Sequence, residues 1–269
     1  MTAPLDPALT RQMLDHMVAT VEATPFRDDP FPHFQARGFV PDDVYRRLLE
    51  LLPTDASYEP FGYERHQTAG VSNRHRFRLL AASLDRLDAE RRTFWYSLRH
   101  AFGSRELKQA VYRKLAPGLS LRFGVAESRV DEVAGFACPE LFRETDGYSI
   151  TPHPDTRKKL VTMQFALAAD DSQEALGTEF YRRSLNPLAW LREPRGFDTV
   201  KRMPFVANAV YAFAVLNTLT LKSWHGRTTI QGHQGTRNSL LNIWYGAAEH
   251  ANVELAEECG LAPRQARAA

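Results

Sequence analysis

The feature that most constrains this chain is a change of hydrophobic period near residue 135. Before it, apolar residues recur at helical spacing; after it, short runs alternate with a period of two and are separated by Gly, Pro, Asp and Asn. Eight of these runs are expected as strands: Glu140–Arg143, Ser149–Asp155, Lys159–Ala168, Thr178–Arg182, Val200–Phe205, Ala209–Val215, Ser223–Thr229 and Arg237–Tyr245. Such a set suits a closed or sandwich-like antiparallel architecture.

The first half reads as helices over Leu9–Ala23, Asp43–Leu52, Asp85–Phe102 and Ser104–Leu115, with a strand over Pro30–Val40. A polar, aromatic loop is expected over Ser57–Asn73. Arg183–Thr199 carries Pro187, Trp190, Pro194 and Gly196, is too irregular for a strand, and reads as a lid. The expected organisation is a single domain over 1–269. Residues 1–134 form mainly helical support with a leading strand near 30–40, 135–247 the β core, and 248–269 a C-terminal tail, basic and frayed after Ala262.

Composition excludes several classes of function. The net charge of +2 comes from 34 basic and 32 acidic residues, so there is no polyanion-binding signature and no nucleic-acid partner is expected. The N-terminal run MTAPLDPALTRQMLDHMVATVEA lacks the basic-then-apolar order of a signal peptide. The longest apolar stretch, Pro204–Leu216, contains Asn208 and falls short of the about 20 residues a bilayer needs, so a cytoplasmic protein without a membrane segment is expected. Cys138 and Cys259 fit no CxxC spacing, which argues against a thiolate metal site and fits a reducing compartment.

The chemistry concentrates in a few residues. His153-Pro154-Asp155 places an imidazole and a carboxylate two residues apart, and on a strand that spacing aims both at one point. By itself the triplet is weak, since a chain with 9 histidines and 32 acids holds roughly one by chance. It has context: a turn at Asp146-Gly147 precedes it, and an alternating strand follows whose polar set, with Thr162 and Gln164, can face a wet cavity. His225, in Ser223-Trp224-His225-Gly226, is the candidate second imidazole. His233 competes for that role but sits between Gly232 and Gly235, in an expected turn where a rigid ligand is less easily held. Two nitrogens and one oxygen on one side of Fe(II) leave positions open for a chelating cosubstrate and dioxygen. Downstream, the period of two puts Arg237 and Ser239 on one face, where a guanidinium and a hydroxyl can meet one carboxylate of a diacid such as 2-oxoglutarate.

With these residues in view, the sequence resembles the Fe(II)/2-oxoglutarate-dependent oxygenases, particularly their prolyl-4-hydroxylase-like bacterial branch. The likeness lies in PFPHFQARGFVPDDVYRRLLELLP and, between Glu140 and Gly246, in DGYSITPHPD, LGTEFY, SWHG and GTRNSLLNIWY. It implies a mainly β fold with a helical N-terminal part: a double-stranded β-helix (jelly roll) core with packed α-helices. It also implies His153, Asp155 and His225 as iron ligands, Arg237 as the cosubstrate anchor with Ser239 helping, and lesser cosubstrate contacts from Tyr148 and Gln164. Fe(II), 2-oxoglutarate and O2 are the implied cofactor and cosubstrates, with ascorbate as an optional helper. Related halogenases carry a small residue in place of the carboxylate ligand; Asp155 therefore implies hydroxylation or desaturation. The expected activity is hydroxylation of an unactivated C–H bond of a small molecule or peptidyl substrate, releasing succinate and CO2. The rival is a metal-binding jelly roll without 2-oxoglutarate turnover, a cupin-like enzyme or a sensor. Basic residues beyond the triplet (Arg157, Lys158, Lys159) and near strand ends (Arg122, Arg143, Arg182, Arg183) read as a solvated rim, with an anionic substrate left open. Tyr58–Gly135 matches no family pattern, and the oligomeric state is not legible.

Overall fold

The computed structural model describes residues 4–61, 67–68 and 70–262, and for Gln67, Thr68 and His233 the backbone alone. The helices are α1 (Pro7–Ala23), α2 (Asp42–Glu50), α3 (Ala81–Leu84), α4 (Ala89–Gly103), α5 (Arg105–Lys114), α6 (Ala116–Phe123) and α7 (Val253–Glu258). In the first half the strands are β1 (Phe26–Arg27), β2 (His33–Arg37), β3 (Glu59–Pro60), β4 (Gln67–Thr68), β5 (Val71–Ser72) and β6 (Arg74–Arg78). Those of the second half are β7 (Phe136–Glu144), β8 (Ile150–His153), β9 (Lys159–Ala166), β10 (Glu179–Arg183), β11 (Phe197–Arg202), β12 (Ala209–Ala214), β13 (His225–Arg227) and β14 (Arg237–Tyr245). Antiparallel pairing builds an eight-stranded sheet, β1-β2-β12-β9-β14-β7-β6-β3, and a four-stranded one, β11-β10-β13-β8.

Alternation along the strands decides what each face of the large sheet does. Val161, Met163 and Phe165 of β9, Val210 and Ala212 of β12, and Leu240 and Trp244 of β14 are buried in one cluster with Met17 of α1, Phe102 of α4 and Tyr112 of α5. The residues between them, including Thr162, Gln164, Arg237 and Leu241, line a cavity on the opposite face. Beside that cavity the two sheets are held together by aromatic packing: Phe180 of β10 lies 5.6 Å from Phe213 and 6.0 Å from Tyr211 of β12, measured between ring centroids. Local chemistry sets the helix ends. The Asp6 carboxylate accepts from the backbone N–H groups of Ala8 and Leu9 at the start of α1, and Ser104 both ends α4 and caps α5 by accepting from Leu107.

The core strands lie close to where the alternation puts them, and the differences have local causes. β8 stops at His153, two residues short of the expected Asp155, because Pro154 has no N–H to give the ladder. The helix expected from Asp85 starts at Ala89, where Asp88 caps it by accepting from Arg91. Within the segment read as an irregular lid, Pro187–Leu191 is a short 3-10 helix, and β11 already begins at Phe197. The region taken as a polar loop holds β3, β4 and β5, and just beyond it lies β6, which pairs with β7 and extends the large sheet. The segment from 248 onward, read as a tail, carries α7, with Leu255 and Ala256 buried; residues after Ala262 lie outside the described residues. No described helix is long and apolar enough to cross a membrane.

Phe165 is fully buried, with its ring 5.3 Å from Phe39 and 5.8 Å from Tyr45, so it joins the sheet to the helical layer. Phe165→Ala is expected to cost about 3–5 kcal/mol through lost burial and the cavity left behind, read as a lower urea midpoint at unchanged m-value.

Candidate functional site

β8 and β13 are neighbours in the small sheet, and their register puts His153 directly opposite His225. Gly226 allows that approach: a Cβ there would lie 2.6 Å from the Ile150 carbonyl oxygen. The two imidazole rings are 4.4 Å apart between centroids. Each ring is oriented by the backbone two residues before it, with His153 Nδ1 3.0 Å from the Thr151 carbonyl oxygen and His225 Nδ1 2.9 Å from that of Ser223. A carbonyl oxygen only accepts, so Nδ1 carries a proton in both rings and Nε2 is the candidate ligand atom of each.

Asp155 lies just past the end of β8 and is 3% exposed. Its Oδ2 accepts from the Thr162 hydroxyl at 2.7 Å and lies 3.7 Å from His225 Nε2, while Oδ1 pairs with the Lys159 ammonium at 2.5 Å. Burial alone would raise this carboxyl. The Lys159 ammonium and His225, with the hydrogen bonds from Lys159 and Thr162, instead hold it well below the usual carboxylate range. Burial lowers His225 to about 4 against the opposing pull of Asp155, so its imidazole is neutral at pH 7. Potential ligand atoms of His153, Asp155 and His225 all lie within 4.8 Å of one another. Two imidazoles oriented through Nδ1 and one ionised carboxylate suit a divalent cation such as Fe(II), with the opposite side left open. His233 falls in the short 3-10 turn Gly232–Gln234, and its side chain lies outside the described residues.

The same cavity, about 410 Å³, reaches a second polar centre around Glu144. Glu144, 2% exposed, is surrounded by three guanidinium groups: Arg237 Nη1 at 2.6 Å, Arg74 Nε at 3.2 Å and Arg227 Nε at 3.8 Å. Burial pushes its carboxyl up, and Arg237, Arg74 and Arg227 together bring it below the ordinary value. Arg227 is lowered to about 10 by burial and by repulsion from Arg237, partly offset by Glu144. Every nitrogen of Arg237 has an acceptor: Nε on the Leu176 carbonyl oxygen, Nη1 on Glu144 and Nη2 on Gln164 Oε1. Arg227 gives Nη1 to the same Leu176 oxygen, and its Nε and Nη2 are buried without a hydrogen-bond partner.

Gln164 links the residues of this end. Its Oε1 accepts from Arg237, Thr178 and the Tyr211 hydroxyl, and its Nε2 donates to Ser239 at 3.3 Å. Ser239 thus shares a face with Arg237 but sits behind Gln164, and it is not among the cavity-lining residues. Tyr148 lines the cavity with its ring facing Arg74 and Arg227. Sequence reading missed Glu144, Arg227, Thr178, Tyr211 and Arg74. Arg227 had a signal, since two residues after His225 on a strand is the same face.

Most of the basic residues read as a rim are engaged elsewhere. Arg122 donates to the Lys159 and Val215 carbonyl oxygens, Arg143 pairs with Asp55, Arg182 pairs with Asp29, and Arg183 stacks 4.3 Å from the centre of Phe197. A larger cleft of about 560 Å³, between Ala56 and Leu87, contains none of the three clustered ligand residues.

No family model and no curated protein matches the chain. Among solved structures it is similar to a prolyl-4-hydroxylase from Pseudomonas putida, at 15% identity over 87% of this chain and 98% of that one, TM-score 0.49. It is also similar to a prolyl 4-hydroxylase from Phytophthora capsici, at 14% identity over 91% and 67%, TM-score 0.46. A third is an oxidoreductase of the 2OG-Fe(II) oxygenase family from Burkholderia pseudomallei, at 11% identity over 80% and 86%, TM-score 0.45. These are distant likenesses of chain path, and the functional reading rests on the site itself.

The triad makes a direct claim on metal affinity. His225→Ala and Asp155→Ala are each expected to weaken Co(II) binding by at least about 100-fold, measured by anaerobic titration. Unchanged affinity in both variants would remove the metal site.

Proposed function

We propose that the chain is a non-haem Fe(II) oxygenase that uses 2-oxoglutarate and O2 to hydroxylate an unactivated C–H bond of a small-molecule or peptidyl substrate. The observation that carries this reading is the convergence of His153, Asp155 and His225, with each imidazole tied through Nδ1 to a backbone carbonyl oxygen and the carboxyl held ionised. In this reading the two facing antiparallel sheets are the halves of a double-stranded β-helix, and residues 1–134 are its mainly helical support.

Iron held by these three residues would supply the coupling of 2-oxoglutarate decarboxylation to C–H hydroxylation, with release of succinate and CO2. The chain's own groups provide orientation. Thr151 and Ser223 fix the imidazoles through their carbonyl oxygens, and Thr162 fixes one carboxylate oxygen of Asp155. Lys159 balances the other oxygen with a positive charge. At the far end Arg237 and Arg227 form the cationic wall that receives the distal carboxylate of the diacid. Gln164, backed by Ser239, holds Arg237 in place, and Tyr148 covers the arginines. The apolar residues between the ends, Leu241 and Ile243, exclude water from the reacting carbon.

One observation favours the rival, a metal-binding jelly roll without 2-oxoglutarate turnover: Glu144, Gln164 and Leu176 already satisfy Arg237. Turnover separates the two. Under air with Fe(II), ascorbate and 2-oxoglutarate, slow succinate release is expected from the wild-type protein, falling to background with a chelator or in His153→Ala. Metal binding without any succinate would establish the rival.

A further inference from the structure

The cluster around Glu144 holds more positive charge than one cosubstrate carboxylate can offset. Three guanidinium groups against one carboxylate leave a surplus of two. Buried charge of one sign is costly unless paired, so the cavity is built for two anionic charges where the diacid brings one. The three arginines are also graded in depth: side-chain exposure is 1% for Arg237, 4% for Arg227 and 13% for Arg74. Of these three, Arg74 is the one nearest solvent.

Arg74 is also held as a recognition group. It comes from β6, where the period of two turns Arg74 and Arg76 into the cavity and Phe77 into the core. Its guanidinium carbon lies 4.2 Å from the ring centre of Phe142, 4.9 Å from Phe61 and 5.2 Å from Tyr148, so aromatic faces fix its plane. Its Nε, buried and close to Glu144, makes no hydrogen bond, and no described residue accepts from its terminal nitrogens. Arg76, by contrast, is paired with Glu59 and lies near Glu140. A planar guanidinium stacked on rings, with no described acceptor on its donor edge, is suited to a carboxylate or phosphate.

We propose that the substrate is an anion whose carboxylate or phosphate group is received by Arg74, with Phe61 and Phe142 packing against the carbon skeleton beside it. This rests on the reading of the site as a 2-oxoglutarate oxygenase, because it assigns the deep arginines to the cosubstrate and the outer one to the substrate.

The test uses the full chain loaded with Mn(II) and 2-oxoglutarate without oxygen, titrated calorimetrically with phenylacetate, its uncharged analogue phenylacetamide, and inorganic phosphate. Wild type is expected to bind phenylacetate at least tenfold more tightly than the amide. Arg74→Gln should abolish that difference and phosphate binding, while Arg74→Lys, which retains the charge, should recover part of both. Arg78→Gln, on the same strand but outside the cavity, should behave as wild type. Equal affinity for acid and amide in wild type, or a preference that survives Arg74→Gln, overturns the proposal. So does a loss of 2-oxoglutarate affinity in Arg74→Gln as large as the loss for phenylacetate, which would move Arg74 to the cosubstrate. Failure of the underlying reading shows separately, as wild-type Mn(II) protein that takes up no 2-oxoglutarate; the acid and amide are then compared on the Mn(II) protein alone.

Discussion

The buried carboxylate of Glu144 is the constraint on which the rest of the site depends. Arg74 comes from β6, Glu144 from β7, Arg227 from β13 and Arg237 from β14, so one ionised side chain ties together four strands drawn from both sheets. Without it, three guanidinium groups would face one another in a space too buried for water to screen. A buried ion pair of this kind is weak evidence for net stability, because desolvation offsets most of its attraction. Its effect is on arrangement: the arginines are held at fixed depths, and the sheets cannot slide past each other without stranding a charge.

The cavity's two ends are spaced by the pleat. On β9, Thr162 donates to Asp155 at the metal end, and Gln164, two residues on, accepts from Arg237 at the anion end. In the facing sheet, His225 belongs to the metal end and Arg227, again two residues on, to the anion end. Two residues along a strand advance about 6.6–6.8 Å, a step on the scale of a five-carbon diacid. Both walls impose it independently, so the distance between the His153–Asp155–His225 cluster and the guanidinium cluster is fixed by backbone geometry rather than by flexible side chains.

The same periodicity explains how much was legible in the sequence. β9, β12 and β14 alternate apolar residues toward the helices with polar or small ones toward the cavity, so their positions could be read directly, and with them the cavity-facing side of Gln164 and Arg237. β6 could not. Its sequence, Arg-His-Arg-Phe-Arg, has a single core-facing apolar residue, Phe77, and its other side carries the arginines that line the cavity, so it imitates a solvated loop. Glu144 was hidden for a related reason: a charged residue at the end of a strand reads as a surface position until three guanidinium groups from distant segments surround it. Asp155 does lie beside His225, but not by the reason of a shared strand face, since Pro154 ends the strand before it. Thr162 and Lys159, rather than the strand's pleat, hold its carboxylate in place.

Lys159 shows why the His153–Asp155–His225 cluster needs more than its three candidate ligands. A buried carboxylate with no cation beside it would favour the protonated form, which binds divalent cations poorly. The ammonium on Asp155 Oδ1 keeps the group ionised, and the Thr162 hydroxyl fixes Oδ2 on the side of His225. The carboxylate is therefore charged and aimed before any cation arrives, and a cation taking its place against Oδ2 need not displace Lys159 from Oδ1. The metal end and the anion end thus follow one rule: each buried carboxylate is kept ionised by a cation from its own chain, and each leaves part of its surroundings, an oxygen or a guanidinium edge, for a ligand.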